Sequence, residues 1–214
     1  MFPLYDESYH SQKKPIINIF LILINVFLFL YFFLNGNLEN AILNYGAIPN
    51  QIIVGQKFQT LISSMFLHAG FSHLIGNMWF LWIFGDNVEN KIGKLKYLIF
   101  YLLAGILAAY IHCITSPFDL KDIPVVGASG AISGILGAYL ILFPKNRIRT
   151  FFWFYIRPIF FYVPAFFFIG IWFLYQILYL STIAYSAVAY TAHIAGFLSG
   201  MILVRPFKEL KIFG

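Results

Sequence analysis

Charged side chains are scarce in this chain: only 10% of its 214 residues are Asp, Glu, Lys or Arg, whereas 61% are hydrophobic. A soluble domain carries about a quarter charged residues. A water-soluble fold could not cover this much apolar surface, so the composition predicts a protein folded in a lipid bilayer. The length suits one compact helical unit, and we treat residues 1–214 as a single domain.

Cysteine is almost absent, since Cys113 is the only one. An intramolecular disulfide is therefore excluded, and cysteine usage gives no information on the redox compartment. A cleavable signal peptide is not expected either, because the first apolar run is too long and lacks a small-residue cleavage site. We interpret this run as a retained first span.

Six apolar runs predict an all-α polytopic membrane protein. The runs lack the alternation of a membrane barrel strand, and helices satisfy their own backbone groups, as lipid requires. A short tail covers residues 1–15. A long apolar outer loop covers residues 35–71, where we expect short helices lying in the membrane interface. The aromatic stretch 151–168 is interpreted as an anchoring belt. The predicted spans are 16–34, 72–87, 95–115, 129–143, 159–179 and 188–204.

The positions of the cationic residues predict the orientation. Twelve of the fourteen Lys and Arg residues flank these spans on one side, and only Lys57 and Lys121 fall on the other. Because cationic loops stay in the cytoplasm, both termini should be cytoplasmic. Spans 2, 4 and 6 then all run from the outside to the inside of a cell membrane.

Polar residues inside the apolar runs are the candidates for function. His73 and Asn77 lie four residues apart on span 2 and share a helix face. Ser129 begins span 4, and His193 lies within span 6. Counted from the cytoplasmic ends, these groups reach similar depths. Span 4 measures only about 22 Å, so Ser129 should start below the outer surface, at the floor of an open cavity.

Small residues support this convergence. They form a stripe on span 4 and another on span 6, which would let the two backbones approach closely. Such an approach is what a short serine side chain needs in order to reach an imidazole on another helix. The stripes contain Gly130 and Gly134 on span 4, and Gly196 and Gly200 on span 6.

This combination of residues is typical of nucleophilic catalysis. A serine hydroxyl needs a base, and His193 is the histidine on a span that can pack against Ser129. The N-terminus of span 4 would offer free N–H groups to an oxyanion, to which Asn77 and His68 could also donate, with His73 orienting them or donating as well. All eight carboxylates lie outside the predicted interior, so we expect a dyad without a third member. Asp122 should lie at the outer mouth.

Three other interpretations compete with this one. His68, His73 and His193 could hold zinc, but no carboxylate accompanies them as a base. A transporter would need a polar path, and spans 1, 3 and 5 offer few polar groups. A membrane protein that binds helices without cutting them is the third alternative. His112, which has no obvious companion in the sequence, is interpreted as structural.

Three motifs resemble the rhomboid intramembrane proteases over most of the chain, from about Phe58 to Gly200. LISSMFLHAGFSHLIGNM is similar to the family's first loop and second span, GASG to its nucleophile motif, and AHIAGFLSG to its sixth span. The sequence FGDNVE also has the family's character at the inner end of span 2. Two positions depart from the family pattern: Gln59-Thr60 replaces Trp-Arg, and Ser133 replaces an aromatic residue that packs on the histidine. Tyr190 is one candidate to brace His193 instead.

The resemblance implies a six-helix bundle that hydrolyses peptide bonds in or beside transmembrane segments of other membrane proteins. It implies a Ser129–His193 dyad, an oxyanion pocket of His68, Asn77 and the Ser129 N–H, and no cofactor. The fifth span and its outer loop would form a side gate and lid. The expected partners are helical membrane substrates and the bilayer, with no nucleic acid and no metal. Glycines that we assign to helix packing are Gly127, Gly130, Gly134, Gly196 and Gly200.

Overall fold

The computed structural model describes residues 2–7, 14–182 and 189–207. Six helices of 14 to 22 residues form the body of the domain. Three shorter helices lie between the first two of them. In chain order the helices are α1 (Ile16–Leu34), α2 (Leu38–Tyr45), α3 (Pro49–Ile53), α4 (Thr60–Ser63), α5 (Phe71–Ile92), α6 (Lys94–Thr115), α7 (Ser129–Leu142), α8 (Ala165–Thr182) and α9 (Tyr190–Leu203).

The six long helices overlap the six predicted spans, and two differ clearly in their bounds: α8 at its start, and α5, which continues to Ile92 and not to residue 87. Helices α1, α5, α6, α7 and α9 begin within two residues of their predicted starts, whereas α8 begins at Ala165 and not at residue 159. Helices α1 and α6 are each long and apolar enough to cross a membrane, and α7 and α8 contain shorter apolar segments. The described part of the chain is therefore largely helical.

A three-stranded sheet corrects the prediction of a purely helical fold. Its strands are β1 (Phe2–Asp6), β2 (Arg147–Phe154) and β3 (Arg157–Pro164), all antiparallel and in the order β1-β2-β3. The hairpin turns at Tyr155, whose φ of 53° is positive. Most of the expected aromatic belt is therefore a hairpin. Part of the expected N-terminal tail is likewise a strand, and the Trp79 indole donates to the Pro3 carbonyl at 2.8 Å.

The apolar loop 35–71 contains short helices, as expected for a segment lying along the membrane interface. It is joined to the loop before α7 by a bridge in which Ala47 and Val125 exchange backbone hydrogen bonds of 3.0 and 2.9 Å. The Gly127 N–H also donates to the Ser64 carbonyl at 2.9 Å. These bonds hold the segment before α7 against the loop 35–71.

Helices α7 and α9 are in backbone contact at the centre of the bundle. A Cβ atom added to Gly196 would lie 2.1 Å from the Gly130 carbonyl oxygen, and one added to Gly200 would lie 2.0 Å from that of Gly134. On its other face α7 meets α6, where a Cβ on Gly134 would lie 2.6 Å from that of Ala104. Only glycine allows this approach, so these residues set the distance between the two helices.

Buried polar side chains at the sheet end of the bundle bond to one another. Glu89 accepts hydrogen bonds from the backbone N–H groups of Ile17 and Asn18 at 3.1 and 2.7 Å and so caps the start of α1. Asn18 donates to the Leu81 carbonyl at 3.0 Å and accepts from the Tyr97 hydroxyl at 2.7 Å. We call the following residues the basal network: Asp6, Asn18, Asn87, Glu89, Tyr97 and Tyr139.

Candidate active site

Ser129 is the first residue of α7 and is half-buried. The first hydrogen bond of the helix runs from the Ile132 N–H to the Ala128 carbonyl at 3.0 Å. The N–H groups of Ser129, Gly130 and Ala131 therefore precede the helical ladder and are left for other acceptors. The positive end of the helix dipole lies at the same place, so this position favours negative charge.

His193 faces Ser129 from α9. Its Nε2 lies 2.8 Å from the Ser129 Oγ, which is hydrogen-bonding distance. This contact depends on the close approach of Gly130 and Gly196, because larger residues would push the two helices apart. The two residues that the sequence places 64 positions apart thus meet as a nucleophile and a base would.

A third polar side chain completes the group, contrary to the expectation that His193 has no further partner. Gln176 of α8 is buried, and its Oε1 lies 2.8 Å from the His193 Nδ1. The third member of such a group is ordinarily a carboxylate, so an amide in span 5 does not stand out in the sequence. Asp122, the carboxylate considered nearest, instead accepts a 2.6 Å hydrogen bond from the Asn50 side chain.

Aromatic rings on two helices flank the imidazole. The Trp172 ring of α8 lies 6.2 Å from that of His193, centroid to centroid, and the Tyr190 ring lies 6.3 Å away and edge-on. Ser133, at the position where an aromatic residue was missing, is buried and donates to the Ser129 carbonyl at 2.7 Å. The aromatic ring that lies beside the His193 imidazole therefore comes from Trp172 of α8 and not from a residue of α7.

His68, His73 and Asn77 lie beside the start of α7. The rings of His68 and His73 are 5.1 Å apart, and Gly127 packs against both His73 and Asn77. Gly127 has a φ of 126°, and a Cβ atom there would lie 2.7 Å from the His73 Nε2. This corrects its assignment as a helix-packing glycine: it lets the loop before Ser129 pass close to α5.

Three buried polar atoms at this place have no hydrogen-bond partner among the described residues. Both ring nitrogens of the fully buried His68 and the Nδ2 of Asn77 lack a hydrogen bond to any residue in the described part of the chain. An unpaired buried polar group costs about 1–3 kcal/mol. The described part of the chain has others, such as the Gln51 Oε1 and the Asn90 Nδ2, so the position beside Ser129 is what distinguishes this group. One ring N–H of His68 and the Asn77 NH₂ can donate to an acceptor that arrives from outside the protein.

The other interpretations of the histidines find less support. His112 bonds to Thr191 of α9 and to Ser116, 3.3 Å from its Nε2, which is a structural role between helices. Within residues 2–7, 14–182 and 189–207, no group of three His, Cys, Asp or Glu side chains could hold a metal ion. The predicted zinc alternative of His68, His73 and His193 is therefore not formed. The predicted lid loop before α9 lies largely outside the described residues.

Comparison with known proteins places the chain in a family. A model described as the rhomboid domain matches residues 55–208. The chain belongs to the rhomboid family. Among its relatives, rhomboid protease GluP of Bacillus subtilis is 32% identical over 144 residues, which are 66% of this chain and 27% of that protein. RHOMBOID-like protein 6, mitochondrial, of Arabidopsis thaliana is 34% identical over 106 residues, 49% of this chain and 33% of that one.

A human relative is more distant. Presenilin-associated rhomboid-like protein, mitochondrial, of Homo sapiens is 29% identical over 92 residues, 43% of this chain and 24% of that one. The matched segments thus span about a quarter to a third of the length of these three relatives. Membership of the rhomboid family makes this a membrane-integral protein of a serine protease family.

The Gln59-Thr60 pair, where this rhomboid domain departs from the family pattern, lies at the start of α4. Thr60 begins α4, is buried, and donates to the Lys57 carbonyl at 2.8 Å, whereas Gln59 is exposed. The Thr60 side chain thus bonds to the backbone of its own loop and not to another helix. No side chain of the Gln59-Thr60 pair contacts Ser129 or His193 through a hydrogen bond in the described structure.

Proposed function

We propose that this protein is an intramembrane serine endopeptidase that hydrolyses peptide bonds in or next to transmembrane segments of other membrane proteins, with Ser129 as nucleophile and His193 as base. The observation that carries the proposal is the 2.8 Å contact between the Ser129 Oγ and the His193 Nε2. Membership of a family of rhomboid proteases supports it. A half-buried serine bonded to a half-buried imidazole is a recurrent arrangement for acyl transfer.

In the first half of the reaction, the Ser129 Oγ attacks the carbonyl carbon of the scissile bond while its proton passes to the His193 Nε2. The resulting imidazolium then donates that proton to the leaving amine, and the C–N bond breaks. This leaves an acyl-enzyme ester on Ser129. A water molecule attacks the ester, His193 accepts the water's proton and returns it to the Ser129 oxygen, and the carboxylate product leaves.

The oxyanion formed in each half would be held at the start of α7. The Ser129 N–H, the Asn77 Nδ2 and a ring N–H of His68 are the donors proposed for it, and His73 either holds His68 in place or donates as well. Support comes from the unpaired state of the His68 and Asn77 nitrogens in the described part of the chain. Donors already aimed at the oxyanion stabilise the transition state without reorganisation.

The proposed placement is a six-span bundle in a cell membrane. Both termini and the sheet would face the cytoplasm, and the Ser129 cavity would open to the outer side. The distribution of Lys and Arg residues along the chain supports this orientation. Helix α7 is only 14 residues long, about 21 Å, so Ser129 would lie below the outer surface of the hydrocarbon layer.

The proposed substrates follow from this depth. A transmembrane helix would approach through the lipid, and the segment entering the cavity would have to unwind there. Its freed backbone groups need polar partners, so small or helix-breaking residues near the outer end of the substrate helix should be favoured. No cofactor or metal is needed for this reaction. Cleavage confined to a cytoplasmic site would contradict the proposed orientation.

Cleavage of a model transmembrane substrate in proteoliposomes tests the proposal. We expect product with the wild type, none with Ser129→Ala, and a wild-type amount with Ser199→Ala, a matched change elsewhere in the bundle. Equal product from the wild type and Ser129→Ala would exclude Ser129 as the nucleophile. No product from the wild type with any of a panel of substrates would favour an inactive protein that binds membrane helices.

A further inference from the structure

We infer that Gln176 is a positioning residue that fixes the tautomer of His193, with the proton on Nδ1 and the lone pair of Nε2 directed at Ser129. This inference rests on the proposed function, because a tautomer matters only if His193 acts as a base. The contact that carries it is the 2.8 Å distance between the Gln176 Oε1 and the His193 Nδ1.

The orientation of the Gln176 amide follows from its second contact. Its Nε2 lies 3.3 Å from the Trp172 carbonyl oxygen, one turn earlier in α8. A carbonyl oxygen can only accept, so the NH₂ group must face Trp172 and the Oε1 must face His193. The reverse orientation would set two oxygens against each other and leave the NH₂ group against the imidazole.

The tautomer of His193 follows from the amide. Because the Gln176 Oε1 can only accept, the His193 Nδ1 must carry a proton. A neutral imidazole has one protonated nitrogen, so Nε2 is then unprotonated. Nε2 lies 2.8 Å from the Ser129 Oγ and is ready to accept the hydroxyl proton. This is the protonation state that a general base needs before the attack.

Among the described residues around His193, Gln176 is the group that accepts from the Nδ1 and so orients the ring. The other titratable groups near enough to affect its charge are His73 on α5 and His112 on α6, and Tyr190 packs edge-on from α9 itself. No carboxylate bonds to His193 within residues 2–7, 14–182 and 189–207. The amide is a neutral acceptor, so it orients the ring without adding a buried negative charge, which would be costly there.

The position of Gln176 also links catalysis to helix α8. The nucleophile is on α7 and the base on α9, whereas the orienting group is on a third helix. A hydrogen bond is lost when its heavy atoms separate beyond about 3.5 Å. A shift of α8 by about 1 Å would therefore break the hydrogen bond between the Gln176 Oε1 and the His193 Nδ1, and the tautomer of the ring would no longer be fixed. The base is therefore fully prepared only when α8 is seated against α9.

Two substitutions at Gln176 separate positioning from packing. Gln176→Leu keeps the volume and removes the acceptor, and we expect kcat to fall about tenfold to a hundredfold with KM unchanged. Gln176→Glu keeps an acceptor and should retain most of the activity. A carboxylate there would favour the imidazolium, so the acid limb of the pH–rate profile should move to higher pH. Gln56→Leu, the same change at an exposed loop position, should match the wild type.

A spectroscopic readout makes the test independent of turnover. In protein labelled with ¹⁵N-histidine, protonated and unprotonated ring nitrogens resonate in separate ranges, and a His193→Ala spectrum assigns the signals of His193. We expect a protonated Nδ1 in the wild type and a mixture of tautomers in Gln176→Leu. A merely structural role would lower stability in Gln176→Leu and leave its His193 signals as in the wild type.

The outcomes distinguish the inference from the proposed function. An unprotonated Nδ1 in the wild type, or a Gln176→Leu protein with wild-type kcat and an unchanged spectrum, would overturn the role of Gln176 while leaving the protease intact. A wild type that cleaves nothing but shows the expected tautomer, altered by Gln176→Leu, would uphold the hydrogen bond and overturn the proposed function.

Discussion

Two groups of buried polar side chains lie at opposite ends of the same helices, and they differ in how they are satisfied. In the basal network, the amide of Asn18 both donates, to Leu81, and accepts, from Tyr97, while Glu89 takes two backbone N–H groups. Beside Ser129, both nitrogens of His68 and the Nδ2 of Asn77 have no partner among the described residues. The side chains of the basal network bond the helices to one another, whereas those beside Ser129 keep N–H groups that have no acceptor among the described residues.

This difference separates a structural role from the proposed catalytic one. Paired groups stabilise the fold, because removing one partner leaves the other buried without a bond. Unpaired donors destabilise the free protein, and a transition state that brings an oxyanion would satisfy them. A substitution that removes polarity should therefore have opposite effects at the two ends of the bundle.

Asn77→Leu should give the largest effect of this kind. The substitution keeps the volume and removes a donor proposed for the oxyanion, so we expect kcat to fall by about 10²–10³. The free energy of unfolding should stay level or rise, because an unpaired Nδ2 is removed from the interior. Cleavage kinetics in proteoliposomes and unfolding by denaturant in mixed micelles measure the two quantities. A stability loss with unchanged kcat would place Asn77 in a structural network.

Asn18→Leu is the matched change in the basal network. It leaves the Tyr97 hydroxyl buried without an acceptor and removes the second hydrogen bond to the Leu81 carbonyl, so the free energy of unfolding should fall by about 2–4 kcal/mol. The kcat of the protein that remains folded should be that of the wild type. Unchanged stability would contradict the view that this network holds α1 against α5 and α6.

Tyr97→Phe should give the smallest effect. It removes one hydroxyl and leaves the Asn18 Oδ1 without its donor, which should lower the free energy of unfolding by about 1 kcal/mol with no change in kcat. The same unfolding assay measures it, with Tyr110→Phe, an exposed tyrosine of α6, as the control. A loss as large as that of Asn18→Leu would mean that the hydroxyl contributes most of the network's stability.

The helices could be predicted closely because each is a long apolar run with local signals at its ends. Helix α1 follows Lys14 and Pro15 and stops before Asn35 and Gly36, and its predicted bounds are those of the structure. The hairpin could not be predicted in this way. From Phe151 onward its residues are largely apolar and aromatic, like those of a span. Its first strand pairs with residues 2–6, which lie more than a hundred positions away.

Within the site, the sequence indicated residue types but not distances. Ser129, His193, His73 and Asn77 were singled out because polar residues in apolar runs are rare. Gln176 is also such a residue, in span 5, but its amide does not resemble the carboxylate that ordinarily takes the third place. That its amide points at His193 depends on the packing of α8 against α9, which local sequence patterns do not give.

The role of Ser129 as a nucleophile activated by His193 is tested most directly by covalent labelling. The protein would be treated in membranes with a fluorophosphonate that reacts with activated serines, digested, and mapped by mass spectrometry. We expect one adduct, on the peptide that contains Ser129, and its loss in His193→Ala. An adduct on another serine, or labelling of Ser129 at an equal rate in His193→Ala, would contradict the account.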